Sequence, residues 1–120
     1  MFYLTYGEYQ SAVPVRYLAA AVGRKGERPE MQDAHTIVEN LLIYFRVPPS
    51  NEVQRLSFFA VFDGHGGARA AEFAAKRLHL HLVSRFPRGG VKQIDKDIRR
   101  VLYDAYKKTD EDFLREAIQQ

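Results

Sequence analysis

The residues best equipped for chemistry sit in one short run, Phe59-Ala60-Val61-Phe62-Asp63-Gly64-His65-Gly66-Gly67. An apolar strand ending at Asp63 delivers a carboxylate to its carboxyl end, where sites commonly form in open sheets. Gly64 has no Cβ, so its backbone can approach an ion or ligand closely. His65, beside the carboxylate, can ligate, orient or transfer a proton. A helix that follows offers free N–H groups to an anion. The chain has no cysteine, so a metal here would be held by hard oxygen donors, which select Mg²⁺ or Mn²⁺. The plain alternative is a tight Asp-Gly turn with His65 as a polar turn residue.

A second segment, Arg24 to His35, packs charges of both signs into a dozen residues just before an apolar run. Asp33 could bring a second carboxylate to the same site. Arg28 could hold a phosphate with its planar fork. The competing view is an exposed charged loop with weak surface ion pairs.

The elements that must position these groups follow from periodicity. Residues 56–62 form a short, almost continuously apolar run, which predicts a strand buried on both faces. Residues 34–46 read as a second strand, bent. Residues 16–23 read as a strand or a short helix, with a turn at Gly23 and Gly26. Residues 1–16 form a lead-in segment with room for one short strand. A helix is predicted over 67–85, with Ala71, Ala74, Ala75, Leu78, Leu82 and Phe86 as its apolar stripe. Pro87, Gly89 and Gly90 end it. A second helix is predicted over 92–118, with Ile94, Ile98, Val101, Leu102, Ala105, Phe113 and Ala117 on one face.

Composition sets the outer limits. A chain of 120 residues with 46% hydrophobic and 28% charged residues is an ordinary globular composition with room for one domain. Zero cysteine excludes a disulfide framework, a thiolate zinc site and a thiolate nucleophile. The net charge of +3 is local: residues 76–100 carry eight basic and two acidic side chains, while 1–75 sum to −1 and 101–120 to −2. That stretch reads as a solvated helix face or as a patch for an anionic partner. No stretch approaches the ~20 apolar residues of a membrane span. The first residues lack the early positive charge of a secretory signal. The expectation is an intracellular protein of the cytoplasm or nucleus, with no membrane association.

Arg28, then Met31-Gln32-Asp33-Ala34-His35, then the strand ending in Phe62-Asp63-Gly64-His65-Gly66-Gly67 resemble, as an ordered set, the type 2C family of metal-dependent protein phosphatases. Lys25-Gly26-Glu27-Arg28 and Lys108-Thr109-Asp110-Glu111-Asp112-Phe113-Leu114 are most similar to the branch associated with integrin-linked kinase. The resemblance covers roughly residues 17–120. It implies an α+β fold: part of an αββα sandwich, with antiparallel strands and two long helices. It also implies hydrolysis of phosphoserine and phosphothreonine by water activated between two Mg²⁺ or Mn²⁺ ions.

Carried over residue by residue, Asp63 matches the carboxylate that bridges both ions, and Gly64 the residue whose carbonyl binds one. Asp33 matches a carboxylate near the metals. Gln32 stands where many members have Glu, which weakens that ion's water shell. Arg28 matches the phosphate-binding arginine and His65 the proposed general acid. The partners implied are phosphorylated proteins and kinase-signalling proteins.

The family places two further metal aspartates downstream in Gly-Asp and Asp-Asn contexts, and this chain contains neither dipeptide. Residues 17–120 are therefore expected to be the N-terminal portion of a catalytic domain, truncated, with a weak metal site, little activity and exposed apolar faces. The alternative is a non-catalytic short form acting as an interaction or regulatory protein. A nucleic-acid module built on residues 76–100 ranks last, because no stacking aromatics interleave its charges.

Overall fold

The computed structural model describes residues 2–8 and 17–119. Strand β1 (Phe2–Glu8) and strand β2 (Ala34–Val38) flank strand β3 (Val53–Phe62), and both pairings are antiparallel. Helices α1 (Arg69–Arg85) and α2 (Val91–Ile118) follow. The α+β architecture of antiparallel strands and two long helices is the one the sequence predicts.

Strand β3 is the organising element. Its side chains alternate, so Leu56, Phe58 and Ala60 point to one face and are buried there with Leu78 and Leu82 of α1 and Ile94, Val101 and Ala105 of α2. The other face is only partly covered: Phe59 is half-buried, and Val61 and Ile37 are 51% and 37% exposed. The expectation of burial on both faces is corrected. A continuous apolar run records that both faces are apolar, not that both are covered.

Polar contacts fix the edges of this layer. The Thr36 hydroxyl donates to the Ala75 carbonyl at 2.6 Å, tying β2 to α1. Asn40 Oδ1 accepts from the N–H groups of Leu42 (3.1 Å) and Leu56 (3.3 Å). That double acceptance ends β2 at Val38 and starts a 3-10 turn over Leu41–Tyr44, so the predicted strand over 34–46 stops after five residues. Residues 17–25 adopt neither strand nor helix, which corrects the reading of 16–23 for its described part; residue 16 lies outside the described residues. Within the lead-in, Phe2–Glu8 forms β1, and residues 9–16 lie outside the described residues.

Helix α2 begins at Gly90, which supplies no side-chain cap. Its first N–H is satisfied from elsewhere: Val91 N donates to Glu52 Oε2 at 2.9 Å. The two helices are joined side by side through His81 of α1. Its Nε2 lies 3.1 Å from Asp112 Oδ2, and its Nδ1 lies 2.7 Å from Thr109 Oγ1.

Candidate active site

Antiparallel pairing brings the start of β2 and the end of β3 to the same edge of the sheet. Ala34 pairs with Phe62, so Asp33 and Asp63 leave the last rung next to each other. Sequence separation of thirty residues is thereby converted into adjacency by one register.

A direct bond closes the arrangement. Gly64 N donates to Asp33 Oδ1 at 2.9 Å. The chain can turn this closely only at a glycine: a Cβ on Gly64 would overlap the carbonyl oxygen of Gln32 and come within 2.7 Å of its carbonyl carbon. Gly66 and Gly67 continue the turn with φ of 69° and 111°, conformations that side chains disfavour. They lead into α1, which starts with no side-chain cap at Ala68.

Of the residues singled out in the sequence, four are gathered at this edge: Gln32, Asp33, Asp63 and Gly64. The Gln32 amide donates to Glu30 Oε1 at 3.2 Å. Asp63 and His65 are exposed. Arg28 stands in an exposed turn closed by its N–H to the Lys25 carbonyl at 3.3 Å. Its side chain makes no hydrogen bond or ion pair among the described residues.

Beside Asp33 opens a pocket of about 250 Å³, lined among others by Val22, Arg24, Met31, His35 and Val61. Its lining mixes apolar side chains with the charged and polar groups of Arg24, Asp33 and His35. Spacing alone does not reveal this pocket. Arg24 and His35 belong to the charged segment before β2, and their convergence depends on the irregular path of residues 17–25.

The donor chemistry fits a hard divalent cation in kind: two carboxylates and a backbone carbonyl stand at one strand end. In number it falls short of a closed shell. No group of three or more His, Asp or Glu side chains close enough to hold a metal occurs among the described residues.

Comparison with known proteins bears directly on this edge. The family model described as protein phosphatase 2C matches residues 19–119. The human protein named integrin-linked kinase-associated serine/threonine phosphatase 2C is 53% identical over 97 residues, covering 81% of this chain and 24% of that protein. The Arabidopsis thaliana protein named probable protein phosphatase 2C 14 is 36% identical over 97 residues, covering 81% of this chain and 19% of the relative. Human protein phosphatase 1F is 32% identical over 118 residues, covering 92% of this chain and 24% of its own. The chain thus spans about a quarter of the length of these curated relatives or less.

Proposed function

Because the chain belongs to the protein phosphatase 2C family, we propose that its β2–β3 edge is part of the active site of a metal-dependent protein serine/threonine phosphatase. The observation that carries this reading is the placement of Asp33 and Asp63 on the same sheet end, with Asp33 bonded to the Gly64 N–H at 2.9 Å.

Asp63, Asp33 and the Gly64 carbonyl are the groups that would hold Mg²⁺ or Mn²⁺, with Gln32 beside them. Two such ions, when bound, supply a water acidic enough to attack phosphorus near neutral pH. The chain's own groups do the rest. Neither Asp63 oxygen is hydrogen-bonded among the described residues, and its short side chain has little freedom, so it would suit a cation ligand. Its neighbour Asp33 is oriented by the Gly64 amide, so one oxygen is fixed and the other is available. Arg28 would bind the phosphoryl oxygens through its planar fork. His65, solvent-exposed one residue after Gly64, hands a proton to the departing serine or threonine oxygen.

We further propose that residues 17–120 are the front portion of a larger catalytic domain, and that the chain of 120 residues turns over poorly by itself. Two carboxylates and one carbonyl leave a second ion short of ligands. The short chain would then act mainly through binding, with phosphorylated proteins and kinase-signalling proteins as the partner classes. The test is a pair of measurements on the 120-residue chain: calorimetric titration with Mn²⁺, and release of phosphate from a phosphothreonine peptide. Weak Mn²⁺ binding that disappears in Asp63→Asn, with little turnover, supports the proposal. Turnover matching a full-length relative would defeat the second part. Mn²⁺ binding unaffected by Asp63→Asn would defeat the first.

A further inference from the structure

Helix α2 carries its charges in the order its own dipole disfavours. Its first turn holds no acid. Lys92, Lys96, Arg99 and Arg100 outnumber Asp95 and Asp97 in its first three turns, whereas Asp110, Glu111, Asp112 and Glu116 outnumber Lys108 and Arg115 in its last three. The N-terminus of a helix is the positive end of its macrodipole, so cations there and acids at the far end each cost stability. The charge order therefore does not serve the isolated helix.

The same residues lie on the side of α2 turned away from the core. Val91, Ile94, Val101 and Ala105 face inward and are buried. Lys92, Lys96, Arg99, Arg100 and Lys107 lie on the opposite side, and all are exposed. Tyr103 (68% exposed), Leu114 (51%) and Ile118 (84%) continue that side. Arg100 pairs with Asp97 of its own helix at 3.5 Å. Lys92, Lys96, Arg99, Asp110 and Glu111 form no ion pair among the described residues.

We propose that this face is the interface of a two-fold dimer, with α2 running antiparallel to the α2 of a second copy. The charge halves then become complementary, and each helix lies with its dipole opposed to its partner's. A two-fold axis at the level of residue 105 sets position i about level with position 210 − i. Arg99 then lies beside Asp110 of the other copy, and Arg100 beside Glu111. Tyr103 faces Lys107, the geometry of a cation–π contact. The stems of Lys92 and Lys96 lie along Ile118 and Leu114, covering apolar surface with their heads in water. Symmetry makes every one of these contacts twice.

A uniform polyanion fits this face poorly. Asp110 and Glu111 close the C-terminal part of the face and repel it, whereas a partner with opposed halves satisfies both signs. The face is also independent of whatever covers the open side of the sheet. Val61 and Ile37 point away from the helices, on the far side of β3. A helix of 28 residues gives a seam ~42 Å long. Its contacts are mostly polar, so the dimer is weak and reversible.

The test is sedimentation equilibrium of the 120-residue chain from about 5 to about 200 µM, the range in which weak interfaces populate. A reversible monomer–dimer equilibrium is expected, weakened about tenfold between about 50 and about 500 mM NaCl. The double variant R99E/R100E makes the face acidic, and D110R/E111R makes it basic. Each alone should be monomeric. An equimolar mixture should form a heterodimer, a result that also shows both variants are folded. A monomer at every concentration overturns the proposal. So does association that survives both variants or ignores salt, which would place the contact on the open sheet face. Failure of the mixture to associate overturns it as well.

Discussion

Gly64 N donates to Asp33 Oδ1 at 2.9 Å, joining the turn after β3 to the residue before β2. One carboxylate thus has two duties: it secures the backbone of a neighbouring turn and offers its second oxygen outward. Substitutions separate these. Asp33→Asn keeps an acceptor oxygen for the Gly64 amide and removes the charge. It should leave stability within about 0.5 kcal/mol and weaken Mn²⁺ binding strongly. Asp33→Ala loses both, and should cost about 1 kcal/mol in urea denaturation. If both variants unfolded at the same urea concentration as the parent, the bond would have no structural weight.

The absence of a side chain at Gly64 is a steric requirement. In Gly64→Ala the methyl group meets the Gln32 carbonyl, and both are backbone atoms that cannot swing aside. Relief requires a shift of the β2–β3 edge, which separates Asp33 from Asp63. We expect a loss of about 1–3 kcal/mol, as for other overpacked sites, together with lost Mn²⁺ binding. Gly66→Ala, where nothing lies within 4 Å of a Cβ, should suffer only the strain of its φ of 69°, about 1 kcal/mol. Thermal melts and Mn²⁺ titrations of the two variants side by side check this.

How much of this arrangement could be read in advance differs from residue to residue. Asp63-Gly64 at a strand end was legible, because an apolar run that stops at a glycine-rich stretch is a local signal. Helix α2 was legible within a residue at its start, because its apolar spacing is sustained over seven turns. The length of β2 was not, since Asn40 ends it through a bond to Leu56, sixteen residues away. Nor was the Glu52 cap on Val91, whose partners are thirty-nine residues apart. His79 is a different case. It lies four positions from Ala75 and three from Leu82, at the edge of the α1 stripe, but a polar residue type hides it from an apolar pattern.

His79 should make the protein acid-sensitive. It is buried against Phe58 and Tyr44, and its Nδ1 has no hydrogen-bond partner. Burial lowers its pKa below the ordinary 6.5. The unfolded chain therefore takes up a proton as pH falls through 6.5, while the folded chain resists until lower pH. Stability present above 6.5 is lost as pH drops toward the folded value, then levels off. His81 acts in the same direction: burial outweighs the raising effect of Asp112, and Arg85 and Lys108 also oppose the cation. His79→Phe retains the aromatic packing and removes one titration. Urea midpoints at pH 8 and pH 5 should differ less in this variant than in the parent. An unchanged difference would assign the acid sensitivity elsewhere.

Glu52 governs the start of α2 from a distant loop. Its Oε2 accepts from Val91 N at 2.9 Å, and the Gly89 N–H bonds the Pro49 carbonyl at 3.1 Å, so the loop before β3 and the loop before α2 are stitched together. A carboxylate at this position also meets the positive end of the helix dipole. Glu52→Gln keeps the acceptor and forfeits the charge, for a loss of about 0.3–1 kcal/mol. Glu52→Ala loses both, for about 1–2 kcal/mol. Amide exchange distinguishes a local cap from general destabilisation. The Val91 amide should lose protection before those of Val101 and Ala105, because the helix frays from its uncapped end while its packed middle holds. Uniform loss along α2 would count against a capping role.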